Sequence, residues 1–291
     1  MKRRRARPLA ALSALVAALT GCGQVDDRPM RVVVIGEAPR IVDPNVRILR
    51  PADAVLMGAA AQGLVRLDAG GQIVPGLAER WSVSDDGLSY IFRIADARWP
   101  DGSPVTARAV ARQLRGAIAR GSRNPLSTVL TGIEEIVATN DVIEIRLAAP
   151  RPNLLHHLAR AEFGIVRRGA GAGPFRVARE GDHMILIRIV PDGEEEREER
   201  VLLRHARPAL AVALFGAGEA DFVLGGTWND LPIARAADPP AAALRLDPAA
   251  GLFGVAVVDT GGPLARPEAR RALSMAIDRD ALIAMMDVPG L

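Results

Sequence analysis

The sequence predicts an α/β protein with mixed sheets, and three stretches carry that prediction. Residues 31–36, RVVVIG, form a β-branched run of the kind that fills a strand covered on both faces. Residues 78–83 and 89–94 are short apolar runs joined by Ser84-Asp85-Asp86-Gly87, and an Asp-Gly pair between alternating runs is a hairpin signal. Trp81 and Tyr90 are expected to face each other across that hairpin. Further on, Thr106 is placed to cap a helix in which Val110, Leu114 and Ile118 recur every four positions.

The remaining elements follow in chain order. Residues 1–21 combine a basic start with an apolar run over 9–19, which reads as a secretory signal peptide too short to span a membrane. Leu19-Thr20-Gly21-Cys22 resembles the lipobox of bacterial lipoproteins, which implies lipid attachment at Cys22. Residues 22–30 then form a polar tether. Cys22 is the sole cysteine, so no internal disulfide can form. Residues 52–62 read as a helix and 64–67 as a strand closed by Asp68, Gly70 and Gly71. Pro100-Asp101-Gly102 is a turn and 121–125 a loop. Residues 133–138 and 142–147 form a second hairpin around 139–141, and Pro150 and Pro152 mark a boundary. A short helix is expected over 152–160 and a strand over 163–166.

The glycines of 169–173 raise the question of a phosphate cradle. Such a cradle needs glycines opening a helix, whereas Pro174 and the alternation of 175–178 announce a strand. Residues 184–190 and 201–205 are expected to pair around an acidic, solvated tip at 191–200, whose spacing lacks the alternating ligands of a calcium loop. A helix over 208–215, a glycine-rich loop over 224–232, a strand over 252–258 and a helix over 263–277 complete the pattern. Pro267 suits a first helical position, and Asp278 can end one helix while capping the next.

Composition narrows the function. The 291 residues are 49% hydrophobic, enough for a real core. Basic residues number 37 against 34 acidic ones. Lys2, Arg3, Arg4, Arg5 and Arg7 precede Cys22 with no acid among them, so the chain from Cys22 onward has 32 bases against 34 acids, net −2. The basic excess belongs to the leader and gives no argument for nucleic-acid binding. His156, His157, His183 and His205 show no chelating spacing, no serine sits in a nucleophile elbow, and no carboxylate is singled out. No enzyme activity, metal or cofactor is expected.

A longer pattern points to a family. Residues 63–110 keep Leu67, Asp68, Pro75, Leu77, Ala78, Trp81, Ser84, Gly87, Tyr90, Phe92, Trp99, Asp101, Gly102, Pro104, Thr106, Ala107 and Val110. These fixed positions resemble those of the extracellular solute-binding proteins, family 5, that serve peptide and nickel ABC importers. Ile41-Val42-Asp43-Pro44 is similar to that family's L-D-P turn. Gly173-Pro174-Phe175 resembles its G-T-G-P-Y/F block, Gly218-Glu219-Ala220-Asp221 its G-E-(V/A)-D block, and residues 266–283 its helical R-x-A-L-x-x-A-I-D-R signature.

The resemblance implies a periplasmic-binding-protein-like two-lobed fold with mixed sheets. Residues 31–51 and 151–250 would form the first lobe, 52–150 a small α+β subdomain, and 251–291 the start of a second lobe that is largely missing. It implies a substrate-binding lipoprotein of an ABC transporter. A monomer would capture peptides or similar small solutes by hinge closure and deliver them to an ABC permease in the inner membrane. The location would be the periplasm or cell surface, with an N-terminal lipid in the membrane. The alternative is a shortened lipoprotein relative that keeps the fold and binds no solute. Two loops leaving strands at the cleft edge would supply the site: Ile48, Leu49 and Arg50 in one, Leu224, Gly225, Gly226, Thr227 and Trp228 in the other. Arg50 would pair with a ligand carboxylate, the glycines would offer backbone groups, and Trp228 would cover an apolar side.

Overall fold

The computed structural model describes residues 28–193, 195–240, 242–245, 254–258 and 261–286. They fall into two compact units, divided after Leu244. The signal peptide and Cys22 lie outside the described residues.

In the first unit β1 (Met30–Ile35) leads through a loop to α1 (Pro51–Ala60). The short pair β2 (Val65–Leu67) and β3 (Ile73–Pro75) comes next, then β4 (Ala78–Val83), β5 (Ser89–Ile94), α2 (Ala107–Ile118), β6 (Ile133–Thr139) and β7 (Val142–Leu147). These are followed by α3 (Leu154–Leu158), β8 (Val166–Arg167), β9 (Ala170–Gly171), β10 (Arg176–Glu180), β11 (His183–Asp192) and β12 (Glu195–Ala206). The unit closes with α4 (Pro208–Gly216), β13 (Phe222–Leu224) and α5 (Leu231–Ala236).

One sheet has the strand order β10-β11-β12-β1-β13. β1 runs parallel to both β12 and β13, while β10, β11 and β12 pair antiparallel, so the sheet is mixed as expected. The β-branched run of β1 is buried on both faces. Val32 and Val34 pack with Ala52, Leu56 and Ala60 of α1, and Val33 packs with Ala206, Ala211 and Ala220 on the other side. That double cover is why the strand reads as continuously apolar.

The second large sheet has the order β4-β5-β7-β6, all antiparallel. Its strands alternate because only one face is covered. Tyr90, Phe92 and Ile94 of β5 and Ile143, Ile145 and Leu147 of β7 face Val110, Ala111 and Leu114 of α2. Thr106 caps α2, its side chain accepting from the Ala109 amide at 3.2 Å. The hairpin turn forms at Ser84–Gly87, with Gly87 at φ +69°. Its register is centred on Asp86-Gly87, which sets Trp81 opposite Phe92 and Tyr90 opposite Val83. Trp81 and Tyr90 therefore do not form the cross-strand pair expected from sequence; the Tyr90 hydroxyl donates to the Arg151 carbonyl at 3.0 Å instead.

Three further expectations need correction. Residues 163–166 are not a strand. Phe163 ends a 3-10 turn and β8 begins only at Val166, because the chain there is pressed onto the end of α1: the Ile165 amide donates to the Gln62 carbonyl at 3.1 Å. The acidic segment 191–200 is solvated as expected, but the strands run further into it than 190 and 201. β11 and β12 stay paired out to Asp192 opposite Glu195, since their charges complement across the ladder, with Arg188 bonded to Glu199 at 2.6 Å and Arg197 lying 3.8 Å from Asp192. The strand expected over 252–258 is not formed by its described part: residues 254–258 carry no ladder, and Val255 and Val258 are exposed.

In the second unit α6 (Pro267–Ala276) opens with Pro267 in its first turn, and α7 (Arg279–Met286) follows directly. Asp278 ends the first and caps the second, its Oδ1 accepting from the Ala281 amide at 2.9 Å. Leu273, Met275, Leu282, Ile283 and Met285 are exposed on these helices. Among the described residues no helix is long and apolar enough to cross a membrane.

Candidate functional site

β1 and β13 are parallel neighbours, so their carboxyl ends emerge at the same edge of the sheet. In open α/β sheets that edge is where ligands bind, because the connecting loops part there and leave a crevice. The loop after β1 spans residues 36–50 and the loop after β13 spans residues 225–230. Every residue expected from sequence to touch a ligand lies on these loops or at the last position of β13.

The first loop is held from beneath by a polar network. Asp43 is the hub of its turn: its carbonyl accepts from the amides of Val46 and Arg47 at 3.1 and 3.0 Å. Its Oδ1 accepts from the Asn45 amide at 2.9 Å and from Gln113 Nε2 at 2.8 Å. Asn45 donates to the Gln113 carbonyl at 2.9 Å and accepts from Asn124 Nδ2 at 3.3 Å. Its carbonyl also accepts from the Arg123 amide at 2.9 Å. Asn124 is buried, and its Nδ2 reaches the Glu162 carbonyl at 2.7 Å. The turn is thus pinned to α2 and to the 121–126 loop. With the turn fixed, Val46 and Ile48 stay outside at 66% and 62% exposure. Together with Arg47 and Arg123 they line an open depression of about 560 Å3.

Arg50 closes the same loop from its other end. Its Nε and Nη2 fork onto Asp53 at 2.7 and 2.6 Å, Nη2 also reaches the Ala38 carbonyl at 2.9 Å, and Nη1 bonds Glu37. Asp53 is 0% exposed and also accepts from the backbone amides of Arg40 at 2.9 Å and Arg50 at 3.3 Å. Burial pushes the Asp53 carboxyl upward, but the Arg50 guanidinium and these amides more than offset it and hold the group below its ordinary value. The carboxylates in turn hold the Arg50 guanidinium above its usual range, the Asp53 hydrogen bond foremost. The guanidinium that sequence offered to a ligand carboxylate is therefore already engaged by two carboxylates of the protein.

The second loop is held against β1. Gly225 sits at φ +79°, and a Cβ there would stand 3.2 Å from Val34 Cγ2 and 3.6 Å from the Ile35 carbonyl oxygen. Glycine serves both the left-handed backbone and the close approach. The amide and hydroxyl of Thr227 both donate to Asp230 Oδ2, at 2.8 and 2.9 Å. Leu224 and Trp228 remain exposed, Trp228 by 46%. The structure thus places both predicted loops on one sheet edge, but the depression takes Ile48 from the predicted set and adds Val46, Arg47 and Arg123. Sequence reasoning missed those three. Val46 and Arg47 directly follow the D-P turn and were within reach of it; Arg123 lies in a distant loop that no local pattern connects to residue 47.

Other candidates resolve structurally. Gly171 and Gly173 pack on the end of α1, where a Cβ at Gly171 would fall 2.0 Å from the Ala60 carbonyl oxygen, and the Gly173 amide donates to that oxygen at 2.8 Å. Gly171 and Gly173 serve chain packing. Among the described residues no group of three or more His, Cys, Asp or Glu is placed to hold a metal ion.

The model of the bacterial extracellular solute-binding proteins, family 5, matches residues 72–286. A probable deoxycholate-binding periplasmic protein, YgiS of Escherichia coli K12, is 34% identical over 133 residues, covering 39% of this chain and 25% of its own. The nickel-binding periplasmic protein of the same organism is 22% identical over 265 residues, covering 82% of this chain and 50% of its own. Among solved structures, Haemophilus influenzae OppA in complex with the peptide RPPGFSPFR aligns with a TM-score of 0.58 at 18% identity, over 68% of this chain and 46% of that one, a likeness of fold. The chain spans a quarter to a half of the length of these relatives. The mixed-sheet architecture is that of periplasmic binding proteins, and the chain belongs to the bacterial extracellular solute-binding proteins of family 5.

Proposed function

We propose that this protein captures a peptide or similar small solute outside the cytoplasm and delivers it to an ABC permease. The observation that carries the reading is the common sheet edge: the loops after the parallel strands β1 and β13 leave side by side, one lined by exposed Val46 and Ile48, the other by exposed Leu224 and Trp228. Apolar side chains beside open backbone groups suit an extended chain of amides. In this reading Ile48, Leu49, Leu224 and Trp228 form apolar walls, Gly225 and Gly226 offer backbone groups, and Thr227 fixes the loop through Asp230. Arg50 sets the position of the first loop through Asp53.

Residues 31–51 and 151–250 constitute one lobe in this proposal, 52–150 a small subdomain and 251–291 the opening of a second lobe. Residues 1–21 direct secretion, and Cys22 carries a lipid that holds the protein at the periplasmic or cell-surface side of a membrane through the 22–30 tether. The protein acts as a monomer and performs no catalysis. The name of one relative as a nickel-binding protein and the peptide bound to another indicate the range of solutes within which the ligand is sought.

Calorimetric titration with a library of short peptides tests the proposal. Binding is expected, and Trp228→Ala should weaken it by roughly tenfold, the usual size for a partly buried aromatic contact. A ligand that binds equally well to Trp228→Ala and to an Ile48→Ser variant would place the site elsewhere.

A further inference from the structure

We infer that the depression beside the Asp43–Pro44 turn is a subsite for an oxyanion, in the first place a carboxylate, carried by an otherwise apolar solute. This rests on the solute-capturing reading above and names the class of solute.

Arg47 and Arg123 both line the depression, and no acidic residue lines it with them. Neither guanidinium has a hydrogen-bond or ion-pair partner among the described residues, so the donors of both are available to a ligand. Both cations are carried by backbone that the fold anchors beside the depression. The Arg47 amide is bonded to the Asp43 carbonyl at 3.0 Å and the Arg123 amide to the Asn45 carbonyl at 2.9 Å, so both backbones are fixed to one turn. That turn is itself held by Gln113 and buried Asn124.

Two like charges on one concave surface repel each other, and an anion between them relieves that repulsion while filling the guanidinium donors. A guanidinium presents a planar fork matched to carboxylate or phosphate oxygens. The other two lining residues, Val46 and Ile48, are aliphatic and exposed, so the walls of the site favour an apolar body next to the anionic group. A free peptide C-terminus next to a bulky aliphatic side chain has this form, and so does a fatty or alicyclic acid.

The test uses the full chain, labelled with 15N so that arginine Nε–H signals are resolved. It is titrated with leucyl-leucine against its C-terminal amide, hexanoate against hexanamide, and hexyl phosphate. Leucyl-leucine and hexanoate should shift the Nε–H signals of Arg47 and Arg123 and bind roughly tenfold or more tightly than their amides, with affinity falling as salt rises. Arg47→Gln and Arg123→Gln should each remove most of that preference, without moving the urea unfolding midpoint, since both side chains are exposed. Hexyl phosphate binding as well as hexanoate supports the oxyanion site and extends it to phosphates; weaker phosphate binding supports it as a carboxylate site. Amides that bind as tightly as the acids, or acids that bind the glutamine variants as tightly as the parent, overturn the inference. If the neutral peptide binds and perturbs the amides of Leu224 and Trp228 alone, the oxyanion subsite falls while solute capture stands. If no probe binds at millimolar concentration, both fall.

Discussion

Asp53 offers the sharpest test of how the first loop is held. It is fully buried and accepts four hydrogen bonds: from the Arg40 amide, the Arg50 amide, and Arg50 Nε and Nη2. Asp53→Ala removes all of them. The charged fork contributes roughly 1.5–3 kcal/mol and each backbone amide about 1 kcal/mol. The sum is roughly 3–5 kcal/mol, the cost usual for removing one partner of a buried pair. Asp53→Asn keeps the volume and one carbonyl oxygen but turns an amide towards a guanidinium, and should cost about 2–3 kcal/mol. Arg50→Met leaves the carboxylate buried with its two backbone amides and should cost a similar amount. Because the two residues share one interaction, the double variant Arg50→Met/Asp53→Ala should cost less than the summed singles by at least about 1.5 kcal/mol. Urea unfolding followed by tryptophan fluorescence measures each value; Trp81, Trp99 and Trp228 supply the signal. Losses below about 1 kcal/mol for both Asp53 variants, or strict additivity in the double variant, would refute the argument that this pair fixes the loop.

Further outcomes follow from other contacts. Gly171→Ala should destabilise by several kcal/mol, on the order of a severe overpacking, because its Cβ would meet the Ala60 carbonyl oxygen at 2.0 Å; thermal unfolding close to that of the parent would show that the chain yields there. Asp221 is bonded by the Arg31 side chain and amide, and those bonds lower its carboxyl to about 2 from 3.8. A depressed carboxyl stabilises above its unfolded value and loses that contribution as pH falls through the folded one, so the gap between parent and Asp221→Asn should hold from neutral pH to about 4 and vanish towards pH 2. After discounting for solvent screening its size should be about 1 kcal/mol; a gap that persists at pH 2 would assign the effect to packing. Cys22→Ser should release the protein from the membrane fraction, and unchanged fractionation would remove the lipid anchor from the proposal.

Much of the fold is local and so was legible in the sequence. The Asp86-Gly87 turn, the alternation of β5 and β7, the Thr106 cap and the Asp278 junction each depend on residues within a few positions, and each forms where the pattern puts it. The continuously apolar β1 announced a strand covered on both sides, and the family pattern over residues 63–110 announced the relatives. The cross-strand partner of Trp81 was readable in principle, since the turn centre dictates the register, yet the expectation paired it with the wrong aromatic residue. The acidic arm of β12 is solvated as its charges suggest, but its pairing with β11 was missed because the complement of Glu199, Arg188, meets it across the ladder.

Other features were settled by contacts between distant segments. Gly171 is required because α1 crosses it, and nothing near Gly171 in the sequence says so. Arg50 looked available for a ligand; Asp53 engages it locally from the first turn of α1, while Glu37 and the Ala38 carbonyl reach it because the loop folds back on α1. Arg47 and Arg123 are separated along the chain by α1, the strands β2 to β5 and α2, and the Asp43–Asn45–Gln113–Asn124 network brings them to one depression. Sequence patterns record the period and the turns of a chain, which are properties of neighbouring residues. Which charges are neutralised and which are left facing solvent depends on side chains that meet only after the chain has closed on itself, and that was decided by the tertiary structure.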